Sequence, residues 1–170
     1  MNLYSFHSNP EQLLHHDTAI ESVPKIVWER YSRTPTKLKR YESVLAKSAE
    51  HAYKYAHMRA EPFPAGEAAI AKSARWSYAY AVDVLMSPFP AGEAAIAADT
   101  FRANRYAQEV LKAPFPAGEA AIAKDARSSY YYALRILKGP FPAGEAAIAK
   151  DAEYAQLYAK NVLKGPFPKK

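Results

Sequence analysis

Pro140-Phe141-Pro142-Ala143-Gly144-Glu145-Ala146-Ala147-Ile148-Ala149-Lys150-Asp151 decides the fold, because it is one copy of a motif that recurs along the chain. The tripeptide Pro-Phe-Pro begins at Pro62, Pro88, Pro114, Pro140 and Pro166, 26 residues apart each time. A period in this range marks an array of small units, each burying its apolar face against the next. Four full units cover 62–87, 88–113, 114–139 and 140–165, and a fifth starts at 166–170. A partial unit covers 44–61, because Ala46-Lys47-Ser48-Ala49 and Tyr53-Lys54-Tyr55-Ala56 match Ala71-Lys72-Ser73-Ala74 and Tyr78-Ala79-Tyr80-Ala81 at an offset of 25.

Each unit reads as a helical hairpin. The first helix opens at Pro64-Ala65-Gly66-Glu67, where proline is tolerated and an early glutamate complements the helix dipole. It is about two turns long. Ser73, Asp99, Asp125 and Asp151 then interrupt the pattern, and these residue types cap a helix by accepting a backbone N–H bond. The second helix runs about three turns to Leu85, Leu111, Leu137 or Leu163, and Gly139 and Gly165 are expected at the left-handed stop. The fold class is therefore an all-α solenoid of tandem helix-turn-helix hairpins. Residues 1–43, with short apolar helix starts at Pro10-Glu11-Gln12-Leu13-Leu14 and Val23-Pro24-Lys25-Ile26-Val27-Trp28, are expected to form a helical N-terminal cap.

Aligning the units separates framework from variation. Tyr80, Tyr106, Tyr132 and Tyr158 correspond, each followed by alanine and, four positions after the tyrosine, by Val84, Val110, Ile136 or Val162. With Ser77, Ala103, Ser129 and Ala155 they make one buried helical face. The opposite face varies freely. A partner would bind there, and the candidate residues are Arg75, Trp76, Val82, Met86, Phe101, Arg102, Arg105, Arg127, Tyr131, Leu134, Tyr154 and Leu157. Relaxed constraint on an exposed face produces the same pattern. Exposed apolar residues beside basic ones suit a protein partner, since such interfaces are enriched in aromatics, methionine and arginine.

Composition narrows the function classes. The 170 residues contain no cysteine, so disulfides, thiolate metal sites and thiol catalysis are excluded, and a reducing compartment, the cytoplasm, is the expected location. Met1 to Pro10 lacks the basic segment and apolar run of a signal peptide and no apolar run is long enough to span a membrane, so neither secretion nor membrane spanning is expected. The net charge of +6 is spread thinly: +2 over 1–61, then 0, 0, +2 and 0 over the four full units, and +2 from Lys169 and Lys170. Arg30, Arg33, Lys37, Lys39 and Arg40 form a local basic cluster interleaved with Tyr31 and Tyr41, read as a solvated linker.

No cofactor, metal or catalytic site is expected. His7, His15, His16, His51 and His57 lack ligand spacing, although His15-His16-Asp17 has the residue types of a metal or acid–base group. Glu67, Glu93, Glu119 and Glu145 stand at equivalent sites on successive units rather than facing one another, and each is assigned to its own helix start. The six glycines are accounted for by helix starts and stops, leaving no phosphate loop. Two alternatives stand beside protein binding. One is nucleic-acid binding through basic and aromatic residues, with Tyr78 and Tyr130 among those available for stacking. The other is a structural role, with hairpin ends stacking into homo-oligomers.

The unit Pro-Phe-Pro-Ala-Gly-Glu-Ala-Ala-Ile-Ala-Lys-Asp, followed by Tyr-Ala and Val-Leu-Lys-Gly, resembles tandem repeats in proteins of tailed bacteriophages and some large DNA viruses, over residues 45 to 168. Met1-Asn2-Leu3-Tyr4-Ser5-Phe6-His7-Ser8-Asn9-Pro10 is also similar to the start of such phage proteins. The resemblance implies no assigned activity. It implies a context, in the host cytoplasm, where small phage proteins bind and redirect host proteins, including those of antiviral defence.

Overall fold

The computed structural model describes residues 22–167, and every regular element among them is helical. The histidines His7, His15 and His16, the short helix start at Pro10 and the terminal Lys169 and Lys170 lie outside the described residues. The fold class is an all-α repeat solenoid built from helical hairpins. The chain divides into two compact units, Met1–Ile70 and Ala71–Lys170.

In the first unit α1 (Ser22–Tyr31) packs on α2 (Pro35–Leu38), α3 (Glu42–Leu45) and α4 (Ala49–Arg59), and α5 (Pro64–Ile70) packs on α4 and α3. The basic cluster is not a linker. Arg30 lies in the last turn of α1, Lys37 belongs to α2, and Lys39 and Arg40 belong to a 3-10 turn, Lys39–Tyr41, leading to α3. Val27, Leu38, Val44, Leu45, Ala52, Tyr55 and Ile70 make the core.

The hairpin geometry begins upstream of the sequence match at residue 44. Glu42 lies 13 residues before Tyr55 and accepts its phenolic hydrogen at 2.6 Å, the same spacing by which Tyr106 reaches Glu93 at 3.0 Å and Tyr132 reaches Glu119 at 2.8 Å. Buried Leu38 holds the place that phenylalanine holds in the later Pro-Phe-Pro triplets. A degenerate first hairpin therefore runs from α2 through α4, hidden from sequence comparison because Lys37-Leu38-Lys39 replaces Pro-Phe-Pro.

In the second unit the first helices are α7 (Glu93–Ala97, entered through a 3-10 turn at Pro90–Gly92), α9 (Pro116–Ile122) and α11 (Pro142–Ile148). The second helices are α6 (Ala74–Tyr80), α8 (Thr100–Tyr106), α10 (Ala126–Tyr132) and α12 (Ala152–Tyr158). Each set packs side by side, and α6, α8 and α10 also pack on the next first helices α7, α9 and α11. Asp99, Asp125 and Asp151 cap as expected, with Asp99 accepting from the Arg102 N–H at 2.8 Å and Asp125 from the Ser128 N–H at 2.7 Å.

Close approach between hairpins explains the repeated glycine. A Cβ at Gly118 would stand 2.6 Å from the Phe115 ring and 2.8 Å from the Ala103 Cβ, and one at Gly144 would stand 2.5 Å from Ser129 Oγ. The small residues of the second helix thus meet glycine on the next first helix. The buried tyrosine completes the joint. Tyr132 accepts the Phe115 N–H at 2.8 Å, donates to Glu119, and meets the Phe141 ring edge-on at 5.2 Å. It ties the start of its own hairpin to the start of the next. The glutamates do more than favour their helix starts: Glu93, Glu119 and Glu145 each accept a hydrogen bond from a buried phenol.

The second helices do not end as α-helices. Each of α6, α8, α10 and α12 widens into a five-residue π turn, Ala81–Leu85, Ala107–Leu111, Ala133–Leu137 and Ala159–Leu163. The left-handed residue that follows is Met86, Lys112, Lys138 or Lys164, with φ between 49° and 53°, and no glycine has positive φ. Gly139 and Gly165, expected at that position, stand one residue later, where their N–H groups bond back to Ala133 and Ala159 at 3.2 Å. The widened turn puts the stop six residues after the buried tyrosine, one later than in α4, where the left-handed Ala60 stands five residues after Tyr55.

Candidate functional site

The variable positions lie along the second helices, and neighbouring helices of the second unit share a recurring register. Residues 31 apart meet: the Tyr78 hydroxyl donates to Glu109, and Asn161 donates to the Tyr130 hydroxyl at 2.8 Å. Arg135, which holds the Glu109 position one repeat later, reaches back to Gln108 at 3.2 Å. Glu109, Arg135 and Asn161 all sit in π turns. The extra residue there helps aim these side chains across the seam between helices.

Of the twelve candidate residues, Phe101, Arg105, Arg127 and Tyr131 come together. With Gln108 and Arg135 they line a groove of about 660 Å³ between α8 and α10 and the π turns that extend them. Phe101 leaves 60% of its surface exposed. Arg105 stands 5.5 Å from the ring centres of Phe101 and Tyr78 and pairs with Glu109 at 2.7 Å. Burial and the Glu109 carboxylate hold the Tyr78 hydroxyl well above its ordinary pKa, so it remains a neutral donor. Across the groove, Arg135 and Arg127 lie 4.6 Å and 6.0 Å from the Tyr131 ring centre. Such cation–aromatic pairs are worth about 0.5–1 kcal/mol each at exposed sites and restrain the guanidinium.

The other candidates are distributed differently. Arg102 closes on its own cap residue Asp99 at 2.7 Å. Arg75 lies 4.5 Å from the Trp76 ring centre on α6. Val82 and Met86 line a smaller cavity of about 210 Å³ with Glu109 and Lys112, and Met86 is 84% exposed. Tyr154 joins Tyr130 and Tyr131 in an aromatic cluster with ring centres 5.1 to 6.5 Å apart. Leu134 and Leu157 are half-buried outside the groove lining. Tyr130, considered for stacking, is buried at 4% exposure.

Asn104, Gln108, Glu109 and Arg135 belong to the groove and were not among the candidates. Gln108 holds the repeat position of Val82 and Leu134 on the variable face, whereas Asn104, Glu109 and Arg135 fall on flanking positions that a single-helix projection assigns to the sides. The register that places them at the seam depends on the π turn, which residue periodicity does not reveal.

Compared with protein-family models, characterised proteins and solved structures, the chain matches none.

Proposed function

We propose that this chain is a non-enzymatic repeat scaffold that binds a protein partner through the variable face of its second helices. The observation that carries the reading is the contrast between two faces of the same helices. One is a repeated joint of tyrosine, glycine and glutamate. The other displays Met86 to solvent, and Phe101 beside arginines held over aromatic rings. Apolar anchors ringed by arginine and aromatic side chains have the composition of protein interfaces. The resemblance to phage repeats makes a host protein, including one of antiviral defence, the expected partner. The test is affinity capture from bacterial lysate with the wild-type chain and with a variant carrying Trp76→Ala, Arg105→Asp, Tyr131→Ala and Leu134→Asp. A protein captured by the first and lost by the folded variant supports the reading; equal capture removes it.

A second reading, nucleic-acid binding, draws on the first unit. Tyr31 and Tyr41 stack at 5.0 Å amid Arg30, Arg33, Lys37, Lys39 and Arg40, a basic patch with aromatic faces. It predicts gel-shift binding that falls steeply with salt and is lost when Lys37, Lys39 and Arg40 become glutamate. No complex at low salt eliminates it.

A further inference from the structure

We infer that the groove between α8 and α10 binds an acidic peptide segment of its protein partner, with carboxylates on Arg127 and Arg135 and an apolar side chain on Phe101. The inference rests on the reading that the variable face binds a protein, and it names that partner's chemistry.

The groove carries uncompensated positive charge. Among the described residues Arg102 and Arg105 each have a carboxylate partner, at 2.7 Å in both cases. Arg127 and Arg135 have none within 4.0 Å, although both are exposed and both are drawn to the same Tyr131 ring. The segment 114–139, to which they belong, is the full repeat unit with a net charge, +2. Two like charges fixed around one ring repel each other, and an anion between or beside them relieves that repulsion. A guanidinium resting on a ring still directs its in-plane N–H donors outward, in the fork geometry that suits a carboxylate.

The occupant has to be more than an anion. Phe101 contributes an exposed apolar surface on the opposite wall, and Gln108 between the walls is already engaged with Asn104 at 2.7 Å. The groove is large enough for a few side chains. A nucleic-acid strand suits it poorly, because Glu109 and Asp125 also line it and the hairpins on either side carry no net charge. A continuous backbone of phosphates needs a continuous basic stripe, whereas a peptide can place two carboxylates where the two arginines stand.

A random peptide library selected on the full chain tests this directly. Selection is expected to enrich peptides with aspartate or glutamate near an aromatic or aliphatic residue. Their affinity should drop roughly tenfold or more in Arg127→Glu/Arg135→Glu and in Phe101→Ala, and should be largely kept in Arg127→Lys/Arg135→Lys. Repeating the selection on the charge-reversed variant should enrich lysine and arginine instead. All these side chains are exposed, and a urea melt confirms that each variant folds. Peptides without acidic enrichment, or peptides indifferent to the charge reversal, overturn the inference. If such peptides still depend on Trp76, Tyr131 and Leu134, the binding-scaffold reading survives. Peptides that ignore those positions as well sink both. An equally charged single-stranded oligonucleotide that outcompetes the selected peptides at Arg127 and Arg135 reassigns the groove to nucleic acid.

Discussion

Replacing Tyr132 by phenylalanine removes one oxygen atom from the joint between two hairpins, and its cost follows from what that oxygen does. It accepts the Phe115 N–H at 2.8 Å in a buried bond and donates to Glu119 Oε1 at 2.8 Å. Without it the Phe115 N–H is left buried with no acceptor, a loss of about 1–3 kcal/mol. Glu119 is half-buried, so water replaces its lost donor and adds on the order of 0.5 kcal/mol. The phenylalanine ring keeps its edge-on contact with Phe141 at 5.2 Å, and no cavity term enters. Tyr132→Phe should therefore destabilise the array by about 1.5–3.5 kcal/mol. Glu119→Gln leaves an amide oxygen to accept from the phenol and should cost only about 0.5–1 kcal/mol, the charge-assisted part of that bond. Urea unfolding followed by circular dichroism measures both from the shift in midpoint at constant slope. If Tyr132→Phe costs less than about 0.5 kcal/mol, or Glu119→Gln costs as much as Tyr132→Phe, the orphaned amide is not the source of the effect and the reasoning fails.

Lys112 occupies left-handed backbone at φ 51°, so Lys112→Gly should raise stability by about 1 kcal/mol in the same assay, a gain from deleting a whole side chain. Gly118→Ala places a Cβ 2.8 Å from Ala103 and 2.6 Å from the Phe115 ring and should cost about 1–3 kcal/mol by overpacking, which Ala103→Gly in the same chain should partly relieve. Burial pushes the Tyr106 and Tyr132 hydroxyls up to about 12 from 10.0. The folded state then keeps protons that the unfolded chain releases, so stability is full below pH 10, falls as pH rises from 10.0 towards about 12, and is followed by urea midpoints across that window. Burial lowers the pKa of His51 from 6.5; the unfolded chain takes up the proton first, so stability in the first unit is full above 6.5 and declines as pH falls below it, a slope that His51→Gln should abolish.

The helical hairpins were legible because their signals are local. Asp99, Asp125 and Asp151 cap helices through their own side chains, and the Tyr80, Tyr106, Tyr132 and Tyr158 series is buried as its periodicity requires. Val84 is buried but Val110, Ile136 and Val162 are only half-buried, since the side of a second helix beyond the joint faces the seam rather than the core. The glutamates read as helix-start residues because a favourable charge at a helix dipole involves only neighbours in sequence. Their bonds to Tyr106, Tyr132 and Tyr158 span 13 residues, and no periodicity within one helix predicts such a pairing. The groove was half legible. Phe101, Arg105, Arg127 and Tyr131 stood out as variation against a fixed framework, whereas Glu109 and Arg135 required the cross-helix register.

That register and the change in repeat length have one cause. From Tyr55 to the left-handed Ala60 is five residues, and from Tyr80 to the left-handed Met86 is six. In α4 the helix is α-helical to its end and the Glu61 N–H bonds to Ala56, five residues back. In the later hairpins Ser87, Gly139 and Gly165 bond six residues back, across a π turn. The single residue that separates the offset of 25 from the period of 26 is thus the residue that the π turn accommodates. Single-turn π insertions in other helices are frequent at functional positions because they re-aim the side chains around them. Here the insertion carries Glu109 and Arg135, which reach Tyr78 and Gln108 across the seams on either side of α8. In the hairpin without the insertion, α2 through α4, Arg59 pairs with Glu42 and Glu61, whereas Arg135 lines a groove without a carboxylate within 4.0 Å among the described residues.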